Sequence, residues 1–289
     1  NGVISMDEFF QMIDEIRSTQ SKQFHDSFAS HFRDRLLNTL KDKEELDIVD
    51  PQVLFDTAWT NILNRHGEEQ MRFPKELIWL GGSPGAGKGT NTPYITKARG
   101  LTAPPIIMSE LLDEFPEIKA SGKLVSDLVV TELIMEKLLE PRYRNGVICD
   151  GYPRTEIQVH CLHLLRKKMS ELRQKYSSTL IGRQFPRPRF IVAILFVDEA
   201  ESVRRQLLRG ELARQHNLKV AETGIGELLP VRETDVDDAV AHNRYRVFLQ
   251  HYKTIQKLKD YFTFTVINAM GTIEEVQRRI QLEFAYQSG

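Results

Sequence analysis

Residues 76–80, ELIWL, run straight into GGSPGAGKGT at 81–90. Few folds can use that arrangement. A short apolar run closed by glycines reads as a buried strand ending in a tight loop. The spacing Gly82-x-x-x-x-Gly87-Lys88 matches a loop whose backbone curls around phosphate. Glycine lets the N–H groups turn inward, and the helix that follows adds the positive end of its dipole. Lys88 reaches forward as a point charge. Gly82, Pro84, Gly85, Ala86, Gly87, Lys88, Gly89 and Thr90 are therefore the expected contacts to a polyphosphate. Gly89 stands where the general pattern has a hydroxyl, which moves that hydroxyl one place on to Thr90.

From residue 75 onward, short apolar runs at 76–80, 105–108, 146–149, 190–197 and 263–267 alternate with helical stretches. This alternation predicts an α/β fold of three layers, a five-stranded parallel sheet with helices on both faces. Ligands of such sheets bind at the carboxyl ends of the strands. Ahead of it, residues 20–74 read as a small helical region. Apolar residues recur at helical spacing in FHDSFASHFRDRLLNTL and in VLFDTAWTNIL, and Asp50 and Pro51 suit a cap and a first turn. The expected division is 1–19, 20–74 and 75–289.

A net charge of -1 gives no electrostatic reason to bind nucleic acid or an anionic membrane. No apolar run approaches the roughly 20 residues a membrane span needs. Cys149 and Cys161 make neither a disulfide framework nor a zinc pair, and they suggest a reducing compartment. A cytoplasmic monomer is the expectation.

A second motif, CDGYPRTEIQ at 149–158, follows the third apolar run. Together with GSPGAGKGT it resembles the paired motifs of the adenylate kinase family of nucleoside monophosphate kinases. KLVSDLVV at 123–130 resembles the family's acceptor-pocket segment, and VRRQLLRG at 203–210 resembles the arginine pair at the start of its lid. RETDVDDAVAHNRYRVFLQHY at 232–252 resembles the end of the lid and the next helix, and VINAMGTIEEVQRRI at 266–280 the last strand and helix. The resemblance covers about residues 75–287 and leaves out the first 74.

The resemblance implies phosphoryl transfer from ATP to a nucleoside monophosphate, with Mg2+. A phosphate with a second pKa of about 6 is already an ionised nucleophile at neutral pH, so no catalytic base is needed. Positioning and positive charge supply the catalysis. Lys88, Asp150, Arg154, Arg209 and Arg244 are the implied catalytic set. Arg205 is expected against the ATP base, and Arg209 with Arg232 near its phosphates. Arg232 stands one residue out of register with the family's R-x-D-D. Asp150 is the implied holder of Mg2+, through water. Val125, Gly151, Tyr152, Arg154 and Gln158 are implied on the acceptor side. Gln158 matches the position that reads adenine, which favours AMP over UMP or CMP.

The family's T-G-D-x-L-R is replaced here by IIMSELLDEF at 106–115. Aligning the leucines sets Met108, Ser109, Glu110 and Asp113 at its Thr, Gly, Asp and Arg. A carboxylate then takes the place of a phosphate-binding cation. The acceptor arm between Leu112 and Gly122 is short. The lid between Arg209 and Arg232 holds Gly210, Gly224 and Gly226 and no cysteine, so a zinc-bearing lid is excluded. The stretch 164–190, LLRKKMSELRQKYSSTLIGRQFPRPRF, is a basic insertion read as a solvated helix and loop, or as a docking surface. Two other functions stay open. One is a nucleotide-binding sensor module of weak activity, and the other a kinase for UMP, CMP or a non-nucleotide acceptor.

The opening NGVISMDEFF fits the second half of an EF-hand. Gly2, Ile4 and Glu8 match loop positions 6, 8 and 12, with Asn1, Val3 and Ser5 at 5, 7 and 9. A capping box, Ser5-x-x-Glu8, is the alternative, and it leaves Gly2 and Ile4 without a reason. This truncated loop lacks its first ligands, so Ca2+ is expected only with a full hand upstream.

Overall fold

The structure, a computed structural model, describes residues 48–113, 126–232 and 235–286. The calcium-loop residues Asn1, Val3, Ser5 and Glu8, the helices expected before residue 48 and the acceptor-pocket residue Val125 lie outside the described residues. Five strands form one sheet: β1 (Glu76–Gly82), β2 (Ile106–Ile107), β3 (Val147–Asp150), β4 (Arg189–Phe196) and β5 (Thr263–Asn268), in the order β2-β3-β1-β4-β5. The β2/β3 and β4/β5 pairs are parallel, with Ile107 opposite Asp150 and Phe196 opposite Asn268. The α/β fold expected from the alternation is therefore present. Leu77 to Leu80 in β1 and Phe190 to Leu195 in β4 are buried, as strands covered on both faces require. The edge strand β5 instead shows Thr263, Val266 and Asn268 to solvent.

The helices around the sheet are α1 (Pro51–His66), α2 (Lys88–Ala98), α3 (Met108–Asp113), α4 (Asp127–Leu138), α5 (Glu156–Tyr176), α6 (Glu199–Thr223), α7 (Asp238–Ile255) and α8 (Ile273–Tyr286). No helix among the described residues is long and apolar enough to cross a membrane. The chain divides into two compact units, Ile78–Gly100 with Phe190–Gly289, and the residues up to Leu77 with Leu101–Arg189.

In the unit that contains the glycine-rich loop, α8 lies on α2. Arg99 sits over the Phe284 ring at 5.7 Å, and Tyr94 donates to Gln281 Oε1 at 3.2 Å. The sequence pattern places the lid from Arg209 onward. The structure instead continues α6 unbroken to Thr223, where Gly224 ends it in a left-handed conformation. The return segment is pinned to this helix. Asn217 accepts from Leu229 N at 2.7 Å and donates to Leu229 O at 2.9 Å, and His216 Nε2 meets Glu227 O at 3.0 Å.

In the other unit, α1 begins as its sequence suggests. Pro51 occupies the first turn and the Asp50 carboxylate accepts from Gln52 N and Val53 N at 2.9 Å each. Its apolar stripe of Leu54, Phe55, Ala58, Trp59 and Ile62 is buried. Phe55, Trp59 and Phe73 stack with centroids 6.0 Å apart. Leu165, Met169 and Leu172 of α5 are buried too, and Lys168 stands over the Trp59 ring at 5.8 Å. The helical part of the basic insertion therefore buries one apolar stripe against α1 and keeps its charged face, with Arg166, Lys167, Arg173 and Lys175, in solvent. The remainder turns back through Tyr176, which stacks on Phe185 at 4.4 Å and donates to Glu68 at 2.8 Å.

Helix α4 is buried from Leu128 to Leu138, charges included. Glu132 and Glu136 face Arg65 of α1 at 3.0 and 2.8 Å, and His66 also meets Glu136. Burial on its own would lower the Arg65 pKa, but the two carboxylates hold it above its ordinary value. Buried carboxylates tolerate such a place only while the guanidinium stays. Arg65→Ala is expected to cost about 3 kcal/mol of unfolding free energy. Urea titration reads that loss, and Arg65→Lys should recover part of it. An unchanged midpoint for Arg65→Ala would show that the network carries no net stability.

Candidate active site

The loop from Gly82 to Lys88 has few side chains of its own, so its shape is set from outside. Ser83 is buried and ties it to β4: Ser83 N donates to Leu195 O at 3.0 Å, and Val197 N donates to Ser83 Oγ at 2.9 Å. The Ser83 hydroxyl and the Tyr245 hydroxyl of α7 both donate to Val197 O, at 3.3 and 3.0 Å. The first turns of α6 hold the other side. Ser202 donates to Pro84 O at 2.7 Å, and Arg205 donates to Gly85 O at 3.3 Å. This contact is close enough to demand glycine. Gly85 has φ +72, and a Cβ there would lie 3.0 Å from Ser202 O.

Helix α2 opens directly from this loop. Its cap position, Gly87, supplies no side-chain bond. Asp50, Ser126, Thr155, Asp198 and Asp237 do cap α1, α4, α5, α6 and α7. The first-turn N–H groups of α2 are thus left to an incoming anion. Ala86 is buried within the loop, Lys88 is half-buried, and Gly89 and Thr90 are exposed on the first turn.

Four of the arginines singled out by the sequence lie in the same unit. Arg205 accompanies the loop and also reaches Gly271 O, in the turn after β5, at 3.4 Å. Glu201 aligns it, accepting from Arg205 Nε at 2.5 Å. Arg204 and then Arg205 pull the Glu201 carboxyl down to about 2. Arg209 presents a bidentate fork to the buried carboxylate of Asp235, with Nε at 3.0 Å from Oδ2. Arg244 donates to the buried Gln206 at 3.4 Å, and Gln206 in turn donates to Ser202 O at 3.2 Å. Burial lowers the Arg244 pKa, and the positive charges of Arg232 and Arg209 lower it further against the pull of Asp235. Such a cluster of guanidinium groups is built to receive anionic oxygens.

Gly210 makes this arrangement possible. A Cβ on it would lie 1.9 Å from Asp235 O, so only glycine lets Asp235 come onto the helix beside Arg209. This is also why Gly210 does not interrupt α6: it serves a close approach rather than a turn.

In the other unit, Asp150 ends β3 half-exposed, and Gly151 follows with φ +90. Arg154 is exposed and folds back over Gly151: a Cβ there would be 3.1 Å from Arg154 Nη2. Tyr152 is buried, its hydroxyl 3.2 Å from Thr131 Oγ1, and burial pushes that hydroxyl's pKa well up. Gln158 is buried in the first turn of α5. Its Oε1 accepts from Arg154 N at 2.7 Å, and its Nε2 donates to Asp127 Oδ1 at 2.7 Å. Thr155, the cap of α5, donates to the same oxygen at 3.0 Å. Asp113, which the alignment sets at the place of an arginine, is exposed at the end of α3.

Among the described residues no three metal-binding side chains come together. A half-exposed Asp150 suits a cation that keeps its water and takes its other ligands from phosphates, as Mg2+ does. Ser83, Ser202, Gln206, Asp127 and Asp235 are absent from the sequence-derived set. The four-residue spacing that Ser202 and Gln206 share with Arg205 and Arg209 was a readable hint. Asp127 and Asp235 act over 31 and 26 positions and left no local sign.

Adenylate kinases of Brucella melitensis biotype 1 and Brucella ovis are each 33% identical over 218 residues, spanning 71% of this chain and 96% of theirs. That of Brucella abortus S19 matches to the same extent. Among solved structures, a gluconokinase from Sinorhizobium meliloti 1021 aligns with TM-score 0.35 and 16% identity, covering 75% of this chain and 99% of its own. A deoxyadenosine kinase from M. mycoides with bound dATP gives 0.36 and 15%, covering 74% and 100%. No family model matches.

Two outcomes test the geometry. Gly210→Ala, mild in most helices, should here destabilise by about 1–3 kcal/mol through overpacking, seen as a lowered melting temperature. An unchanged melt would contradict the close approach of Asp235. A carboxyl NMR titration should place Glu201 at about 2. Because that value is depressed, the Glu201 brace is whole above the ordinary carboxylate range and is lost only as pH falls towards its folded value.

Proposed function

Because the chain belongs to the adenylate kinase family of nucleotide kinases and is a phosphotransferase, we propose that it moves the γ-phosphoryl group of ATP to AMP and yields two ADP. The observation that carries this reading is the gathering of Arg209, Arg232 and Arg244 around Asp235, in the same unit as a glycine loop braced by Ser83, Ser202 and Arg205. One carboxylate against three guanidinium groups leaves net positive charge for a triphosphate.

In this reading the loop N–H groups and Lys88 hold the β- and γ-phosphates, with Arg205 beside the base. A phosphate oxygen of AMP forms a bond to the γ-phosphorus as the bond from that phosphorus to the β–γ bridging oxygen breaks. The bridging oxygen leaves as the terminal oxygen of ADP. Arg209, Arg232 and Arg244 balance the charge spread over the equatorial oxygens, and Arg154 is the proposed contact of the acceptor phosphate. Asp150 would hold Mg2+ through water, and the ion would supply charge neutralisation on the donor phosphates. Gln158 is the proposed reader of the adenine of AMP, with Gly151 and Tyr152 as neighbours on the acceptor side.

Diphosphate formation from ATP with AMP, CMP, UMP and GMP in turn tests the proposal. AMP should be the preferred acceptor. Lys88→Met should lower kcat/KM by about 10²–10³-fold, the scale for removing a donor that stabilises transition-state charge. No diphosphate with any acceptor would sink the reading and leave a nucleotide-binding module.

A further inference from the structure

We propose that Asp127 is a specificity-determining positioning residue. It fixes the Gln158 amide in one orientation, so the acceptor site takes a 6-amino purine and rejects a 6-oxo purine. This inference rests on the acceptor reading above and adds a residue to which that reading gives no role.

The argument is one of donors and acceptors. A glutamine amide offers an oxygen that accepts and an NH2 that donates, and it can usually turn over to exchange them. Here it cannot. The backbone N–H of Arg154 donates to Gln158 Oε1 at 2.7 Å, and Asp127 Oδ1 accepts from Gln158 Nε2 at 2.7 Å. Turning the amide over would set NH2 against N–H on one side and oxygen against carboxylate oxygen on the other. Neither the backbone N–H nor the ionised carboxylate can reverse its role. The Thr155 hydroxyl donates to the same Asp127 oxygen at 3.0 Å and accepts from Gln158 N at 3.1 Å, so the cap of α5 holds the pair in register. Asp127 itself is half-buried in the first turn of α4, whose following residues are buried, and the bonds from Thr155 and Gln158 hold its carboxylate in place.

The fixed amide keeps one N–H and one lone pair not used by these bonds, in a set order. Adenine shows a ring acceptor beside an exocyclic NH2 donor and can match that order. Hypoxanthine and guanine show a ring N–H beside an exocyclic oxygen, the reverse order at the same two places. A buried polar site rejects a ligand that leaves its groups unpaired far more strongly than an apolar pocket rejects an extra atom.

The experiment measures kcat and KM for AMP, IMP and GMP with ATP, in the wild type, Asp127→Ala and Asp127→Asn. The wild type should favour AMP. Asp127→Ala should shrink the AMP-to-IMP ratio of kcat/KM by about tenfold or more, mainly through a higher KM for AMP. Asp127→Asn still offers a neutral oxygen to both donors and should fall between the two. A melting curve checks folding. If Asp127→Ala is not folded, the drop in ratio for Asp127→Asn decides alone. A wild type that prefers AMP, with variants that lose kcat equally for all three acceptors and keep the ratio, overturns the role of Asp127 and leaves the acceptor reading standing. A wild type that prefers GMP or IMP, or uses none of the three, overturns the acceptor reading and this inference with it.

Discussion

A loop made largely of glycine cannot hold a shape by itself, and the organisation of this protein follows from that constraint. The curl between Gly82 and Lys88 exists because Ser83 is stitched into the end of β4 and because Ser202 and Arg205 grip the carbonyls of Pro84 and Gly85. These bonds use carbonyl oxygens and a buried hydroxyl. They leave the first turn of α2, uncapped at Gly87, facing outward. The residues that shape the loop thus differ from those offered to a ligand.

Positive charge raises a second problem, since guanidinium groups repel one another. Asp235 and Glu201 keep the arginines in place without cancelling them. Asp235 is buried and takes the fork of Arg209, while burial, and then the charges of Arg232 and Arg209, lower the Arg244 pKa. Glu201 accepts from both neighbours, Oε2 from Arg204 and Oε1 from Arg204 and Arg205. A cluster held in this way meets an arriving polyphosphate with little reorganisation, the condition under which fixed charges help a phosphoryl transfer most.

The first unit answers a different need. Helix α4 is buried from Leu128 to Leu138, yet it carries Glu132 and Glu136, and the buried Glu140 lies just beyond its end. Each finds a basic partner: Arg65 and the His66 ring from α1 for the first two, and Lys137 and Arg142 for Glu140. These pairs anchor the helix, and its first turn presents Asp127 to Gln158. Helix α1 lies outside the stretch that resembles known kinases, so part of the support for α4 comes from a segment beyond that resemblance.

Much of this was legible in the sequence. The apolar runs located all five strands; for β1 and β4 the reason is that a strand buried on both faces has little room for polar residues. The glycine loop and its lysine were recognisable because their chemistry is local. The extent of α6 was not legible: Gly210 and the arginine pair read as the start of a lid, and only the approach of Asp235 shows why a glycine sits inside a continuous helix. The basic insertion read as solvated, and most of it is; its apolar stripe of Leu165, Met169 and Leu172 stands at helical spacing, but which element covers it could not be read. Local spacing carries local geometry, so strands, loop and caps follow from the order of residues alone. Which carboxylate meets which guanidinium, and which way an amide faces, depend on groups that are neighbours only once the chain has folded. Those pairings belong to the tertiary structure.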